Sequence, residues 1–190
     1  MEHTQLTWNG ASLSNMATLD IDGFNVYVEQ VEDEDYDWLD CRGKFTNDSD
    51  YGHNLKNPNA KYNRNVFPYY EPSVGVKKLI QEYVEYGDTL RDARKKAVRF
   101  LREELAIALD PDAAGYYAIG IRATVYRHGI KLGEASVWGM ELKNYHFNYT
   151  QQARMEEERQ QKYIDETAWE EIEKAVEQAR ENLKKLVSTL

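Results

Sequence analysis

The stretch that most constrains this chain is Gly115–Leu142, GYYAIGIRATVYRHGIKLGEASVWGMEL. Tyr117, Ile119, Ile121, Ala123 and Val125 alternate with Tyr116, Ala118, Gly120, Arg122, Thr124 and Tyr126, the period of two that a β-strand imposes. His128-Gly129 supplies a turn, since glycine takes φ > 0 without steric cost. The return strand then places Ala135, Val137 and Gly139 on one face and Ser136, Trp138 and Met140 on the other. Both faces carry apolar or aromatic residues, which predicts a hairpin in the middle of a sheet. It is scaffold and holds no catalytic motif.

The rest of the chain is read against this hairpin. Residues 1–16 are polar and Asn/Ser-rich and read as a flexible arm, leaving residues 17–190 as a single domain. Thr18–Val31 predicts a second hairpin, turning at Asp22-Gly23, with Phe24, Val26 and Val28 on one face. Trp38-Leu39 and Phe45 suggest a short strand in WLDCRGKF, after a solvated acidic loop. Thr46–Tyr70 is a long Asn/Asp/Gly/Tyr-rich segment that reads as a connection without regular structure, and such connections are usually functional or mobile. Ser73 is placed to cap a short helix closed by Gly87, and Asp88 to cap another through Leu109. In the second helix Leu90, Ala93, Ala97, Leu101, Leu105 and Ala108 share a face. A terminal helix, 151–190, carries Ile164, Ala168, Ile172, Ala175, Ala179, Leu183, Leu186 and Leu190. This seam of about 27 residues runs roughly 40 Å, enough to lie across a sheet or to pair with a second copy.

The fold class that follows is α+β: an antiparallel sheet of four to five strands covered by two middle helices and the long C-terminal helix. The absence of a repeated βαβ unit argues against a parallel doubly wound sheet.

Composition narrows function by exclusion. The net charge of −9 disfavours direct nucleic-acid binding and favours a basic partner. Cys41 is the only cysteine, so no internal disulfide and no cysteine-based zinc site is expected. No apolar run approaches a membrane span and no secretory signal pattern opens the chain, so the expected compartment is the cytoplasm of a bacterial host cell. His3, His53, His128 and His146 lack metal-ligand spacing. The cluster Asn47-Asp48-Ser49-Asp50 lacks the glycine and bidentate glutamate of a calcium loop. No Walker loop, dinucleotide fingerprint or nucleophile elbow is present, and Cys41 has only Arg42 beside it to lower its pKa. The reading is therefore not an enzyme, with no cofactor and no metal.

Three segments remain as candidate binding surfaces. The acidic run Glu32, Asp33, Glu34, Asp35, Tyr36, Asp37, Trp38 and Asp40 can imitate the phosphate spacing of DNA and occupy a basic groove, Tyr36 and Trp38 serving as anchors. Its plain alternative is a solvated loop that shields a sheet edge. A basic face, Arg91, Arg94, Lys95, Lys96, Arg99 and Arg102, can hold phosphates or an acidic surface, or be an ordinary salt-bridged helix face. The Lys61–Pro72 segment offers Tyr62, Phe67, Tyr69 and Tyr70 for stacking on a base, or as cover for the sheet's end.

Taken together, Glu34-Asp35-Tyr36-Asp37-Trp38-Leu39, Phe67-Pro68-Tyr69-Tyr70, Ile119-Gly120-Ile121-Arg122-Ala123 and Val137-Trp138-Gly139-Met140-Glu141 resemble a group of small phage, prophage and plasmid proteins. These share an acidic Trp/Tyr-Leu-Gly segment, an aromatic-proline segment, an Arg-rich helix and the two strands in the same order, matching roughly residues 24–142. Asp40 stands where the group usually has Gly, and Met140 where it has Ile. The group brings no activity with it. The resemblance implies a mobile-element accessory protein that binds and inhibits a host defence factor, an anti-CRISPR or similar counter-defence protein, with the acidic surface as its contact. A second reading is a nucleotide sponge using Arg91, Arg94, Lys95, Arg99, Tyr62, Tyr69 and Tyr70. A third is an assembly protein or homodimer built through the C-terminal helix.

Overall fold

A computed structural model describes residues 6–9, 15–40, 42–49, 54–61, 66–144 and 150–188. It is α+β, as expected, and divides into two compact units: residues up to 36 with those from 117 onward, and residues 37–116.

The first unit is built on the two hairpins. Strands β1 (Met16–Ile21) and β2 (Phe24–Glu32) join at Asp22-Gly23, both with positive φ (55° and 74°). Strands β3 (Tyr116–Arg127) and β4 (Ile130–Lys143) join at His128-Gly129, with φ of 52° and 78°. Two successive left-handed residues make the tight turn whose twist suits a hairpin. The sheet is antiparallel in the order β1-β2-β3-β4, so the long hairpin supplies one central strand and one edge. Register places Val26 opposite Val125 and Val28 opposite Ala123. These residues, with Phe24, Ile119 and Ile121, are buried on one face.

On that face lies α1 (Gln151–Ser188). Ile164, Ala168, Ile172, Ala175 and Ala179 of the expected seam are buried in the core with the sheet residues, Leu183 is partly buried against it, and Leu186 is exposed. Leu190 lies outside the described residues. The sheet's other face carries Tyr27 and Trp138, 38 and 48 % exposed.

Strand β4 departs from the simple alternation. Ala135 and Val137 face the core, but so do Met140 and Leu142, so parity switches between Val137 and Met140. Gly139 sits at the switch with φ of 76°, the signature of a β-bulge that re-aims the side chains beyond it. Met140 therefore lies on the core face rather than beside Trp138.

The free edge of β4 is closed by side chains. Gln178 accepts from the Glu134 amide (2.7 Å), Asn182 donates to the Leu132 carbonyl (2.8 Å), and Gln160 bonds both the amide and the carbonyl of Lys143 (2.9 and 3.2 Å). Asp33 accepts from the Gly139 amide at 3.0 Å. The described part of the N-terminal arm is also tied down: Leu6 is buried, the Trp8 indole donates to Asp165 (2.8 Å), and Asn9 bridges Met16.

The second unit corrects the reading of 46–70 as structureless. Strands β5 (Gly43–Thr46), β6 (Leu55–Lys56) and β7 (Tyr69–Pro72) form a small antiparallel sheet in the order β5-β7-β6, with a 3-10 turn at Pro58–Lys61. Phe45 pairs across it with Tyr70, whose side chain is fully buried. Trp38-Leu39 is turn rather than strand, because the Asp37 carboxylate captures the Leu39 amide and the Leu39 carbonyl accepts from Arg42 and Gly43. Helices α2 (Val76–Glu85) and α3 (Leu90–Leu109) pack on each other through Leu79, Ala97 and Leu101. The middle helices thus have a small sheet and a core of their own, where the sequence reading drew one domain. Gly87 closes α2 with φ of 97°. The α3 cap is Thr89 rather than Asp88: its hydroxyl accepts from the Asp92 amide and donates to the Asp92 carboxylate, while Asp88 takes Lys96. Helix α2 begins after Gly75, with no side-chain cap from Ser73.

Candidate functional site: a carboxylate rim at the end of strand β2

The β1–β2 turn fixes the pairing Met16↔Glu29. Strand β2 is longer, so Val31 and Glu32 run on with no β1 residue beside them. Around this uncovered end lies a cavity of about 320 Å³, lined by Asn15, Met16, Glu29, Gln30, Val31, Glu32 and Glu34. Three carboxylates rim it.

The acidic segment leaving β2 is held to the unit at two points. The Asp33 amide bonds the Ala118 carbonyl while its carboxylate takes the Gly139 amide. The Tyr36 hydroxyl donates to Glu141, and its ring lies where a Cβ on residue 139 would come within 3.0 Å. Glu32, Glu34 and Asp35 between these points are exposed. The bulge glycine thus serves the segment twice: its amide is free to meet Asp33, and its missing side chain makes room for Tyr36. Replacing Asp33 by alanine should raise amide exchange at Gly139 and lower stability by about 1 kcal/mol, the usual net worth of one hydrogen bond. Hydrogen exchange resolved by residue checks this.

Two further groups shape the rim. Arg122 donates through Nε and Nη2 to one Glu29 oxygen (2.9 and 2.7 Å), and this hydrogen bond, then the Glu29 charge, pushes the guanidinium pKa up. The Gln30 side chain is 9 % exposed; its Oε1 accepts from Asn15 at 3.5 Å, and its Nε2 has no hydrogen-bond partner among the described residues. A buried amide donor without an acceptor is costly, so this corner of the cavity favours an incoming oxygen, while the rim favours a cation.

The remaining residues of the acidic run belong to the second unit. Asp37 and Asp40 are exposed. Trp38 lies under the Arg42 guanidinium (5.7 Å), which itself pairs with Glu104 at 2.6 Å. Glu32–Asp40 is therefore two short segments with different supports, and Asp33, Tyr36 and Trp38 are engaged within the fold.

For the sponge reading, Arg91, Arg94, Lys95 and Arg99 are all exposed; Arg91, Lys95 and Arg99 lie on the side of α3 away from Ala93, Ala97 and Leu101, and Arg94 borders the buried side. Tyr70 does not join them, being buried in the small sheet. Tyr69 is half-buried, and Tyr62 lies outside the described residues. Cys41, His3, His53 and His146 also lie outside the described residues; His128 is a turn residue. Among the described residues no group of His, Cys, Asp and Glu is placed to hold a metal ion, and no helix is long and apolar enough to cross a membrane.

Sequence reasoning missed Asn15, Met16, Gln30 and Val31 as cavity-lining residues. The signal was there in the hairpin arithmetic, because β2 must outrun β1 if the polar arm breaks away at Asn15. Comparison with protein-family models, with curated proteins and with solved structures finds no match.

Proposed function

We propose that this chain is a non-catalytic binding protein that presents the carboxylates at the end of β2 to a basic surface on a partner protein. In this reading it is a mobile-element accessory factor, and the partner is a host defence protein whose nucleic-acid groove the carboxylates occupy. What supports it is the double anchoring of the acidic segment. Asp33 and Tyr36 hold its backbone, so Glu32, Glu34 and Asp35 are displayed with little ordering entropy left to lose on binding, and preorganisation of this kind raises affinity. Glu29 is less available, being paired with Arg122.

The test is affinity capture from a bacterial lysate with the intact protein and with a variant carrying Glu32→Gln, Glu34→Gln and Asp35→Asn. The reading expects a stoichiometric partner that is released by moderate salt and lost, by tenfold or more in affinity, in the variant. A partner retained equally by both proteins would overturn it.

A further inference from the structure

We infer that the exposed face of α3 is a docking surface for the sugar–phosphate backbone of a nucleic-acid strand, held without regard to base sequence. Arg91, Lys95, Arg99 and Arg102 recur at intervals of four, four and three residues. They form one stripe about 16 Å long at 1.5 Å rise per residue, with Arg94 and Val98 alongside. All six are exposed; the helix buries Ala93, Ala97 and Leu101 on the side opposite the stripe, and Arg94 borders that buried face.

Among the described residues Arg91, Arg94, Arg99 and Arg102 have no hydrogen bond or ion pair, and Lys95 only approaches Asp92 at 3.9 Å. Several other cations of the same unit are held closer: Arg42 by Glu104, Lys44 by Glu71, and Lys96 by Asp88. Like charges one turn apart on a helix repel by a few tenths of a kcal/mol per pair, and a polyanion lying along the stripe relieves all of them together. Arginine suits that ligand, because its planar fork matches phosphate geometry with paired hydrogen bonds. The steps of about 6 Å between successive turns are close to the separation of phosphates along an extended strand. With only one row of cations, the face follows one strand rather than reaching across a groove.

The net charge of −9 does not stand against this. Residues 37–116 carry equal numbers of acidic and basic side chains, so the whole excess of negative charge lies in the rest of the chain. The stripe itself contains no aromatic side chain on which a base could stack, so binding is governed by salt and indifferent to sequence. These residues are separate from the β2 rim, and the inference does not depend on the reading proposed for it.

The experiment titrates the full chain into a fluorescein-labelled single-stranded oligonucleotide of about 20 nucleotides, long enough for one site, and follows anisotropy against salt. Four phosphate contacts on a single strand give a slope of log K against log salt near −3, so affinity falls about 50-fold between ~50 and ~200 mM. Arg91→Glu combined with Arg99→Glu keeps good helix formers in place and should weaken binding at least tenfold, with unchanged circular dichroism. Lys95→Gln should flatten the slope by about 0.7, and Lys44→Gln should change neither quantity. No binding at low salt, binding unaffected by the double reversal, or displacement by polyglutamate as effective as by unlabelled strand would each overturn the inference. So would loss of binding in the Glu32→Gln, Glu34→Gln, Asp35→Asn variant, which would place the strand elsewhere.

Discussion

Replacing Gly133 by alanine should cost the β1–β4 sheet and its helix about 3 kcal/mol, at the top of the usual range for overpacked cores. A Cβ at this position would lie 2.1 Å from the Ala175 carbonyl oxygen and 3.0 Å from the Ala179 amide. Both belong to the backbone of α1, which cannot step aside as a side chain can. Ala175 and Ala179 are fully buried, and their small size is what lets the helix come so near. The helix is also clamped on either side of the contact, through Gln178 to Glu134 and Asn182 to Leu132, so relief at Gly133 would break those bonds too. Gly120→Ala is the informative companion. Its Cβ would come within 2.3 Å of the Trp138 ring, a worse-looking clash than many, but Trp138 is 48 % exposed and can swing outward. Its cost should be about 1 kcal/mol, near the middle of the range for single substitutions. Denaturant titration of the two variants against the parent checks the order; equal losses would mean that α1 is free to shift.

Substituting Arg42 by methionine should destabilise the 37–116 unit by about 3–5 kcal/mol, because it leaves Glu104 without its partner in a dry setting. The pair is close, 2.6 Å from Nη1 to Oε1, and its members are only 6 and 15 % exposed. The guanidinium further covers Trp38 at 5.7 Å. Adding Glu104→Leu to Arg42→Met should restore most of the loss, since exchanging a whole buried ion pair for apolar side chains is often neutral or better. The measurement is a double-mutant cycle on the thermal transition of this unit. A double variant no more stable than Arg42→Met would show that the arginine acts chiefly through Trp38 and its other contacts. Such a cycle isolates the pair only if each single change makes no new contacts.

The hairpins were legible because a period of two and a left-handed dipeptide turn are local signals. Ile119, Ile121, Ala123 and Val125 read as one face from spacing alone, and so did the helix seam from Ile164 to Ala179. Three things were not legible, each for its own reason. The bulge at Gly139 shifts Met140 to the core face, and alternation cannot register a one-residue offset until the strand is seen paired. The β5-β7-β6 sheet uses strands of only four, two and four residues, whose pairing of Phe45 with Tyr70 spans a polar segment with no periodicity. The β2 rim depends on where β1 stops, which is set by Asn9 and Asn15 bonding around Met16 and Gln30. For the candidate sites, the sequence showed the charges but not which were already engaged. Asp33, Tyr36 and Trp38 turned out to have partners, while the arginines of α3 have none among the described residues.

The side-chain seal along β4 has a consequence for synthesis. Strand β4 precedes α1 in the chain, so Gln160, Gln178 and Asn182 leave the ribosome after the edge they will cover. At translation speeds of about 5–20 residues per second, the newly made sheet spends several seconds with its fourteen-residue edge strand bare, long after hairpins form on their microsecond timescale. Closure of this edge therefore waits on the helix, and until Gln160, Gln178 and Asn182 arrive the strand can pair with a neighbouring polypeptide.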